Sequence, residues 1–485
     1  MNAPPRGLDA FFAPRGVAVV GASRSPGKVG HAALKNLLFA GSEGDRSQGF
    51  QGAVVPVNPR GTSPILGQSP VASVDALPEG IDLAVFAIPA ADIPVALDQA
   101  ARRGVRAAVI LSAGFFEMGA AGRKLGAQLT RVAENTGIRV IGPNCMGIFA
   151  GETQLSASFY GAAPHPGRVT LISESGAVAQ ALLEQSRCEA LGLRNVISLG
   201  SRADVSEAEL LRYFGRDERS ELIGVHLETL DDARAFHDAT REVCPKKPIV
   251  VLRGGSTGAG HRAAKLHEGS WAVRDRAMES ALSYQGLHQV HSLPAFLASL
   301  RTLATQPPAR GRRVAIVTNA GGAGVLAADA AARAGLEVVN LRPETVAKLA
   351  QISSNPRSRA NPVDLLGDAT PKRFLAAIEV VASAREVDAI LLVLTTQPMS
   401  DSSAVAQQVC EYAGTLDKPL VASVVGAENQ LVERLTERYG VPDFVFPETA
   451  VEGLKALVAR GQYLRRLRRR RPVQHHRRTR ARSWS

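Results

Sequence analysis

The segment Gly16-Val17-Ala18-Val19-Val20-Gly21-Ala22-Ser23, followed by a helical pattern from His31 to Phe39, decides the fold class. An apolar run that stops at a glycine and leads into a helix is typical of a buried parallel strand. Small residues let the backbone approach a ligand, and the helix start favours negative charge. The segment therefore predicts a nucleotide-phosphate site in a doubly wound sheet. Ser23 stands where a GxGxxG motif has its second glycine, so the pattern does not favour NAD.

Further strands of this kind follow in the first 150 residues, and they end in Asn58-Pro59, Pro89-Ala90, Ser112-Ala113-Gly114 and Gly142-Pro143-Asn144. Ligands bind at the carboxyl ends of the strands in such sheets. No acid follows the second strand to hold a ribose hydroxyl, and the small strand-end residues suit an adenine nucleotide carried on a longer molecule. Ordinary turn chemistry is the alternative explanation for each of these residues.

Two more α/β units are predicted downstream. In the second unit, Ser173-Glu174-Ser175-Gly176-Ala177 joins a strand to a helix and forms a plausible phosphate seat, although Ser173 alone would be an ordinary N-cap. In the third unit, Asn319-Ala320-Gly321-Gly322 repeats this logic. We expect domains at 8–150, 151–302 and 311–462, followed by a basic disordered tail at 463–485.

The glycine-rich stretch Gly254–Ser270 follows the apolar run 248–252 and carries His267. A neutral imidazole has a lone pair near pH 7 and can act as a nucleophile. Glu228 ends the preceding strand, where it is placed to pair with a histidine. A surface histidine in a loop and a solvated strand-end acid are the alternative interpretations.

Charge and cysteine content bound the remaining possibilities. The net charge is +12, but ten arginines and no acid lie between Arg465 and Ser485, so the rest of the chain is close to neutral. The tail predicts no defined nucleic-acid or membrane site, and it is equally compatible with a segment that is not native to the protein. Four well-separated cysteines, no signal-peptide pattern and no long apolar run predict a cytoplasmic protein without structural zinc.

Taken in order, these motifs resemble those of the NDP-forming acyl-CoA synthetases, which include the alpha-type subunits of ADP-forming acetate–CoA ligases and are relatives of succinyl-CoA synthetase. The resemblance covers about residues 8–460. The family pattern is carried by the strand-end motifs of the first unit, by the turn at 173–177, by the segment around His267, and by Thr318–Gly322 with Asn361–Asp364. It implies a CoA-binding Rossmann-like domain followed by two flavodoxin-like domains.

The resemblance also implies an activity. The chain would form an acyl-CoA thioester from a short-chain or aryl carboxylic acid, CoA and ATP, with ADP as product and a phosphoryl group carried on His267. Glu228 resembles the acid that orients this histidine. The implied CoA-binding residues are Gly21, Ala22, Ser23, Asn58, Pro89, Ser112 and Asn144, and the implied phosphate-binding residues are Ser173, Ser175, Gly176, Ala177, Asn319, Gly321 and Gly322.

Some positions depart from the family pattern. Glu268 and Glu174 replace a threonine and a glutamine, and two carboxylates near a phosphate repel it unless Lys265 or Arg262 compensates. Ser201 stands at a position usually occupied by asparagine. No ATP-grasp segment is found in the sequence, and in the family this module is either fused after this point or carried on a second subunit. We expect a separate ATP-grasp subunit, with Mg²⁺ held there beside the nucleotide, and an oligomeric assembly.

Three other functions are compatible with parts of the sequence. A P-loop is disfavoured because His261-Arg262 follow the glycines where that motif needs Lys and Ser or Thr. AMP-forming ligation is disfavoured because its adenylation motif is absent from the sequence. A regulatory subunit that binds CoA or acyl-CoA without turnover stays open, because Glu268 and Glu174 would impair phosphorylation.

Overall fold

The computed structural model describes residues 7–41, 44–61, 63–161, 163–260, 262–263, 285–397, 399, 401–426 and 439–470. Within these residues the chain forms three sheets in which parallel strands dominate, with helices packed on their faces. The predicted α/β class, with one Rossmann-like and two flavodoxin-like units, is confirmed.

The first sheet is entirely parallel and has the order β2-β1-β3-β4-β5. Every residue of the inner strand β1 is buried, which explains the continuous apolar run in the sequence. The strand order reverses between β1 and β3, and this reversal opens a crevice at their carboxyl ends. The elements are β1 Gly16–Val20, β2 Ala53–Val57, β3 Leu83–Phe86, β4 Ala107–Ile110 and β5 Arg139–Ile141, with α1 Asp9–Phe12, α2 Val29–Phe39, α3 Ile93–Arg102 and α4 Gly119–Thr136.

The second sheet has the order β12-β11-β10-β8-β9-β6-β7, and its last two strands run antiparallel. Strand β6 belongs to this sheet although it lies before the boundary expected at residue 150. The elements are β6 Gly147–Ala150, β7 Leu155–Ser158, β8 Pro166–Ser173, β9 Leu193–Ser198, β10 Leu222–Leu227, β11 Ile249–Arg253 and β12 Leu287–Val290, with α5 Gly176–Cys188, α6 Glu207–Arg216, α7 Ala233–Val243 and α8 Leu293–Thr305.

The third sheet is parallel, has the order β14-β13-β16-β17-β18, and carries β15 beside β13. The sequence predicted a turn where β15 lies. The elements are β13 Arg313–Thr318, β14 Glu337–Val338, β15 Val363–Asp364, β16 Ala389–Thr395, β17 Leu420–Val425 and β18 Asp443–Phe444, with α9 Gly321–Arg333, α10 Pro343–Ile352, α11 Pro371–Ser383, α12 Ser402–Ala413 and α13 Pro447–Arg470.

One hydrophobic core runs through the first and second sheets. Phe12 packs edge-on against Phe214 at a centroid distance of 4.9 Å. The Asn36 amide donates to the carbonyl of Ser158 at 2.9 Å, and Arg139 at the start of β5 binds Asp204 at 2.8 Å. These contacts fix the two sheets relative to each other, so a cavity between them has defined walls.

Helix α13 joins the third sheet to the second. The Arg460 guanidinium on this helix donates to the carbonyl of Cys244, and a Cβ atom on Gly286 would lie 2.5 Å from the Tyr463 ring. The helix continues through Arg470, so residues 463–470, which the sequence placed in a disordered tail, are helical. Residues 471–485 lie outside the described part of the chain.

No helix in the described residues combines the length and the apolar character needed to cross a bilayer. The four cysteines are free thiols, and Cys145, Cys244 and Cys410 are buried while Cys188 is exposed.

The Asp82 carboxylate provides a test of the first unit. Its side chain is 1% exposed, accepts two bonds from the Arg15 guanidinium at 2.9 Å each, and binds Arg106 at 3.1 Å. These partners hold the pKa of Asp82 well below its usual range. We expect Asp82→Asn to lower the free energy of unfolding by about 1–3 kcal/mol at pH 7, as measured by urea denaturation followed by circular dichroism.

The pH dependence gives this prediction a sign. A lowered carboxyl pKa stabilises the folded state above the unfolded pKa of about 4, and this stabilisation is lost as the pH falls through the folded pKa. The difference between wild type and Asp82→Asn should therefore shrink below about pH 4. Asp98→Asn, which removes a more exposed ion pair with Arg102, should cost less than about 1 kcal/mol. A difference that stayed constant on acidification would contradict the assignment.

Candidate functional site

The turn after β1 brings backbone groups unusually close together. Gly21 has a φ of +92°, and a Cβ atom on it would lie 2.4 Å from the carbonyl oxygen of Ala87. A Cβ atom on Gly30 would lie 2.0 Å from the carbonyl oxygen of Gly21. Only glycine fits at these two positions, so the start of α2 rests directly on the turn. Ala22 and Ser23 continue the turn, and His31 Nδ1 lies 2.8 Å from the carbonyl oxygen of Ser23.

The other predicted residues of the first unit tie neighbouring strand ends together. The Asn58 amide donates to the carbonyl of Ala22 at 2.8 Å, and its Oδ1 accepts from the backbone N–H of Arg60. The Ser112 hydroxyl donates to the carbonyl of Ile88 at 2.6 Å, next to Pro89. These side chains shape the crevice from within, and their polar groups stabilise the strand-end turns.

A cavity of about 880 Å³ opens between the first and second sheets. It brings together four of the predicted site residues with Glu174, which precedes Ser175 in the chain, and with three residues of the loop after β9. The predicted residues are Asn144, Ser175, Gly176 and Ala177, and the others are Glu174, Gly200, Ser201 and Arg202. The cavity wall also contains side chains of both signs, including Arg123, Glu117 and Asp231. The residues of the β1 turn do not line this cavity, although the Asn144 N–H donates to the carbonyl of Ser112 at 2.9 Å.

Helix α5 begins at the cavity. The Ser175 hydroxyl caps the helix by accepting from the N–H of Val178 at 3.4 Å, and Gly176 is the first helical residue. A 13-residue helix presents the positive end of its dipole and its first N–H groups at this end. Ser173, by contrast, is fully buried and its hydroxyl donates to the carbonyl of Ser175 at 2.8 Å. The predicted pair of hydroxyls at the helix start is therefore a single one.

Glu228 follows β10 at the same edge of the sheet. Its Oε1 lies 4.0 Å from Nε2 of His226, and its side chain is 18% exposed. Burial lowers the pKa of His226 to about 4, so this imidazole is neutral at neutral pH. Because the Ser173 hydroxyl uses its proton on Ser175, we assign the Nδ1–H tautomer to His226, which donates to Ser173 Oγ at 3.1 Å. The imidazole therefore packs beside Glu228 without forming an ion pair.

Glu174 does not confront the cavity as a bare charge. Its side chain is fully buried, and its carboxylate accepts from Arg202 Nη1 at 2.6 Å and from the backbone N–H groups of Glu228 and Thr229 at 2.7 and 3.0 Å. The compensating cation is Arg202, whereas the sequence suggested Lys265 or Arg262. The sequence reasoning missed Arg202 and His226. An arginine in the glycine-containing loop after a strand and a histidine inside an apolar strand were the signals for them.

The segment that carries His267 leaves the sheet beside Glu228. The N–H of Gly254 donates to the carbonyl of Leu227 at 2.8 Å, and a Cβ atom on Gly254 would lie 3.6 Å from Glu228 Cγ. His267, Glu268, Lys265 and His261 lie outside the described residues. The distance between the two predicted catalytic groups therefore stays a prediction, while the starting point of the segment is fixed.

The third unit has its own glycine-rich helix start. The Asn319 amide donates to the carbonyl of Thr395 at 2.9 Å and its Oδ1 accepts from the N–H of the same residue, which pins the turn to β16. A Cβ atom on Gly321 would lie 2.9 Å from Asp364 Oδ2, while Gly322 faces open space. Gly321 and Gly322 begin α9, so they lie where a helix favours an anion.

Three family models match consecutive parts of the chain: a CoA binding domain at 15–150, a succinyl-CoA ligase like flavodoxin domain at 166–303 and a ligase-CoA domain at 314–467. The alpha subunit of acetate–CoA ligase [ADP-forming] I from Pyrococcus furiosus is 35% identical over 457 residues, which cover 93% of this chain and 97% of that subunit. Acetate–CoA ligase [ADP-forming] I from Archaeoglobus fulgidus is also 35% identical, and the match spans 63% of its length.

A solved structure has the same fold throughout. The dinucleotide-forming acetyl-coenzyme A synthetase 1 of Ca. Korarchaeum cryptofilum, in complex with phosphate and ADP, superposes with a TM-score of 0.86 at 30% identity, and the match covers 95% of this chain and 98% of that one. The ordered domains and the identity across nearly the whole length agree with the strand-end motifs and the cavity described above. The chain therefore belongs to the family of NDP-forming acyl-CoA synthetases, relatives of succinyl-CoA synthetase.

Proposed function

We propose that this chain is an acid–thiol ligase subunit that forms an acyl-CoA thioester from a short-chain or aryl carboxylic acid, CoA and ATP, with ADP and phosphate as the other products. The observation that carries the proposal is that β8 and β10 are neighbouring strands. The start of α5, which lines the cavity, follows β8, and Glu228 follows β10, where the N–H of Gly254 at the root of the His267 segment donates to Leu227. Helix starts bind phosphoryl groups, and a carboxylate beside a histidine orients the imidazole.

The reaction then runs in three transfers. The γ-phosphoryl group of ATP moves to the His267 imidazole and ADP leaves. An oxygen of the substrate carboxylate attacks the phosphorus, the nitrogen–phosphorus bond breaks, and an acyl phosphate forms. The CoA sulfur attacks the acyl carbon and gives up its proton, the bond from that carbon to the phosphate oxygen breaks, and inorganic phosphate leaves with the proton. The protein contributes positioning and donors to each step, since phosphoryl transfer needs little covalent help.

Each predicted group has a place in this scheme. Glu228 orients His267, while the Ser175 hydroxyl and the N–H groups of Gly176 and Ala177 hold the phosphoryl group. Ser173 does not contact the phosphoryl group; its hydroxyl donates to the Ser175 carbonyl and so fixes the turn. At the nucleotide end, Asn319 shapes the turn whose Gly321 and Gly322 N–H groups meet phosphate.

CoA is assigned to the crevice of the first sheet. Gly21 and Gly30 support this site, because the absence of side chains at these positions lets the turn pack directly on the start of α2. The backbone N–H groups there stay accessible to a pyrophosphate. Ala22 and Ser23 continue this surface. Asn58, Pro89, Ser112 and Asn144 would line the path towards the cavity, where the thiol meets the acid.

A separate ATP-grasp subunit is proposed as the partner, and we expect Mg²⁺ to be held there with the nucleotide. The match to a chain named subunit alpha over 97% of its length supports a division into two subunits. The start of α9 favours an anion and offers a place where the nucleotide phosphate brought by the partner could bind. We further propose an oligomeric enzyme in the cytoplasm, where the four free thiols would be stable.

The regulatory alternative has lost part of its basis. It depended on Glu174 and Glu268 repelling phosphate, and Glu174 is bound by Arg202 and two backbone N–H groups. No described contact favours a binding subunit without turnover.

Phosphorylation of His267 can be measured directly. Full-length chain incubated with acetyl-CoA and [³²P]phosphate should take up an acid-labile label in the reverse direction. We expect His267→Ala to abolish the label and Glu228→Gln to slow its uptake about 100-fold, because the imidazole would lose its orienting acid. His291→Ala removes an exposed histidine of the same domain and should label like wild type. An equal label on His267→Ala would refute the proposed carrier.

Partner dependence is a second expectation. The purified chain with ATP, acetate and CoA should release no acyl-hydroxamate in a hydroxylamine trapping assay, because the ATP-grasp module is supplied by the partner. Addition of an ATP-grasp beta subunit of a related ligase should restore turnover, and a panel of short-chain and aryl acids should then rank the substrates. Robust thioester formation by the chain alone would contradict this division of labour.

The CoA crevice can be tested with two alanine variants on one turn. Gly30→Ala places a methyl group 2.0 Å from the Gly21 carbonyl oxygen, so it should shift the turn and weaken CoA binding at least about 10-fold by isothermal titration calorimetry. Gly27→Ala is the matched control, since nothing lies within 4 Å of its added carbon, and its affinity should stay within about threefold of wild type. Unchanged binding by Gly30→Ala would place CoA elsewhere.

A further inference from the structure

Three loops of the second sheet meet at one buried carboxylate. Glu174 follows β8, Arg202 follows β9, and Glu228 and Thr229 follow β10. The carboxylate of Glu174 accepts from Arg202 through Oε1, and it accepts from the N–H groups of Glu228 and Thr229 through Oε2. Its side chain has no exposed surface. The position of the Glu228 backbone therefore depends directly on the side chain of residue 174.

Arg202 holds this carboxylate from the other side. Its guanidinium is 7% exposed and also binds Glu207 at 2.5 Å, Asp231 at 2.8 Å and the hydroxyl of Thr229 at 2.5 Å. Its φ of +50° is in the left-handed region, which is unfavourable for a residue with a side chain. A strained backbone at a cavity wall is retained where the surroundings over-determine it, and four polar partners do so here.

Each carboxylate around Arg202 has a second source of stabilisation. Glu174 has two backbone N–H groups, Glu207 lies in the first turn of α6, and the side chain of Asp231 is 64% exposed to water. One guanidinium is therefore enough to hold three acids together. The guanidinium also balances the negative charge of the Glu174 carboxylate, which lies next to Ser175 and Gly176.

We propose that Glu174 and Arg202 act as one unit that positions Glu228, and that this pair replaces the neutral glutamine expected at position 174. The proposal rests on the proposed function, because it concerns the acid that orients His267. Glu174 supplies the acceptor for the Glu228 backbone, and Arg202 supplies the charge that keeps this acceptor from repelling a phosphoryl group at the start of α5. The two residues are positioning residues without contact to the reacting atoms.

A double-variant cycle tests the unit. Arg202→Met leaves Glu174 buried without its cation, so the rate of [³²P]phosphate uptake from acetyl-CoA should fall about 100-fold. Glu174→Gln keeps one acceptor oxygen but turns an amide N–H₂ group against the guanidinium, and it should lower the rate about 10-fold. The double variant carries neither conflict, so its rate should lie within about 10-fold of wild type and clearly above that of Arg202→Met.

A matched control separates positioning from general stability. Arg194 at the opposite edge of the same sheet is 11% exposed and binds Glu152 and Asp217 at 2.5 and 2.9 Å. Arg194→Met should lower the melting temperature as Arg202→Met does, while its rate of label uptake stays within about twofold of wild type. The KM for acetyl-CoA should stay unchanged in Arg194→Met, since Arg194 lines neither the β1 crevice nor the cavity.

Hydrogen exchange measures how firmly the unit of Glu174 and Arg202 holds the Glu228 loop, and it does so independently of the reaction. The amides of Glu228 and Thr229 should lose protection in Arg202→Met and regain it in the double variant, as measured on peptides that cover β10 and its loop. Additive rate losses, equal losses in Arg194→Met, or unchanged exchange at these amides would each overturn the proposal while wild type still takes up label. A wild-type chain that takes up no label would refute the proposed function, and with it the role of this unit in phosphoryl transfer.

Discussion

Parallel strands present their polar loops at one edge, and this directional constraint organises the whole molecule. In each of the three sheets the inner strands are largely buried, and the residues of the proposed sites follow the carboxyl ends of the strands. Gly21, Glu228 and Asn319 each stand after a strand for this reason. The shared core of the first two sheets then brings two such edges face to face across the cavity. The chemistry therefore needs few special residues, because the topology has already gathered them.

The sequence predicted this architecture well because apolar strands ended by glycine leave a strong local pattern. The turn after β1 and the start of α5 follow from such a pattern, and both are found where it places them. Side-chain direction was harder to predict. Ser173 and Ser175 are two residues apart, yet one hydroxyl is buried against His226 and the other caps the helix. Strand β12 and the helical stretch 463–470 were missed, since contacts between distant parts of the chain decide both: β12 packs against α13, and Tyr463 of α13 packs on Gly286.

The acid at position 174 shows why a departure from a family pattern must be judged in three dimensions. In the sequence, a carboxylate beside a phosphate seat suggests repulsion. In the structure, this carboxylate accepts from Arg202 and from the backbone of the Glu228 loop, both distant in sequence. Arg202 lies 28 residues from Glu174 along the chain, so no local motif could have linked them. The charge is thus part of the scaffold.

The close packing of Gly286 beneath the Tyr463 ring has a mechanical consequence. The segment that bears His267 leaves the second sheet at Gly254, which is bonded to Leu227, and rejoins it at Gly286, which is covered by the long C-terminal helix. Both ends of the segment are thus held in place: Gly254 by a neighbouring strand, and Gly286 by a helix that packs on the third sheet. If the imidazole of His267 moves towards a distant nucleotide, it does so on a segment whose two ends are fixed. Any rotation of the third unit would displace the end at Gly286.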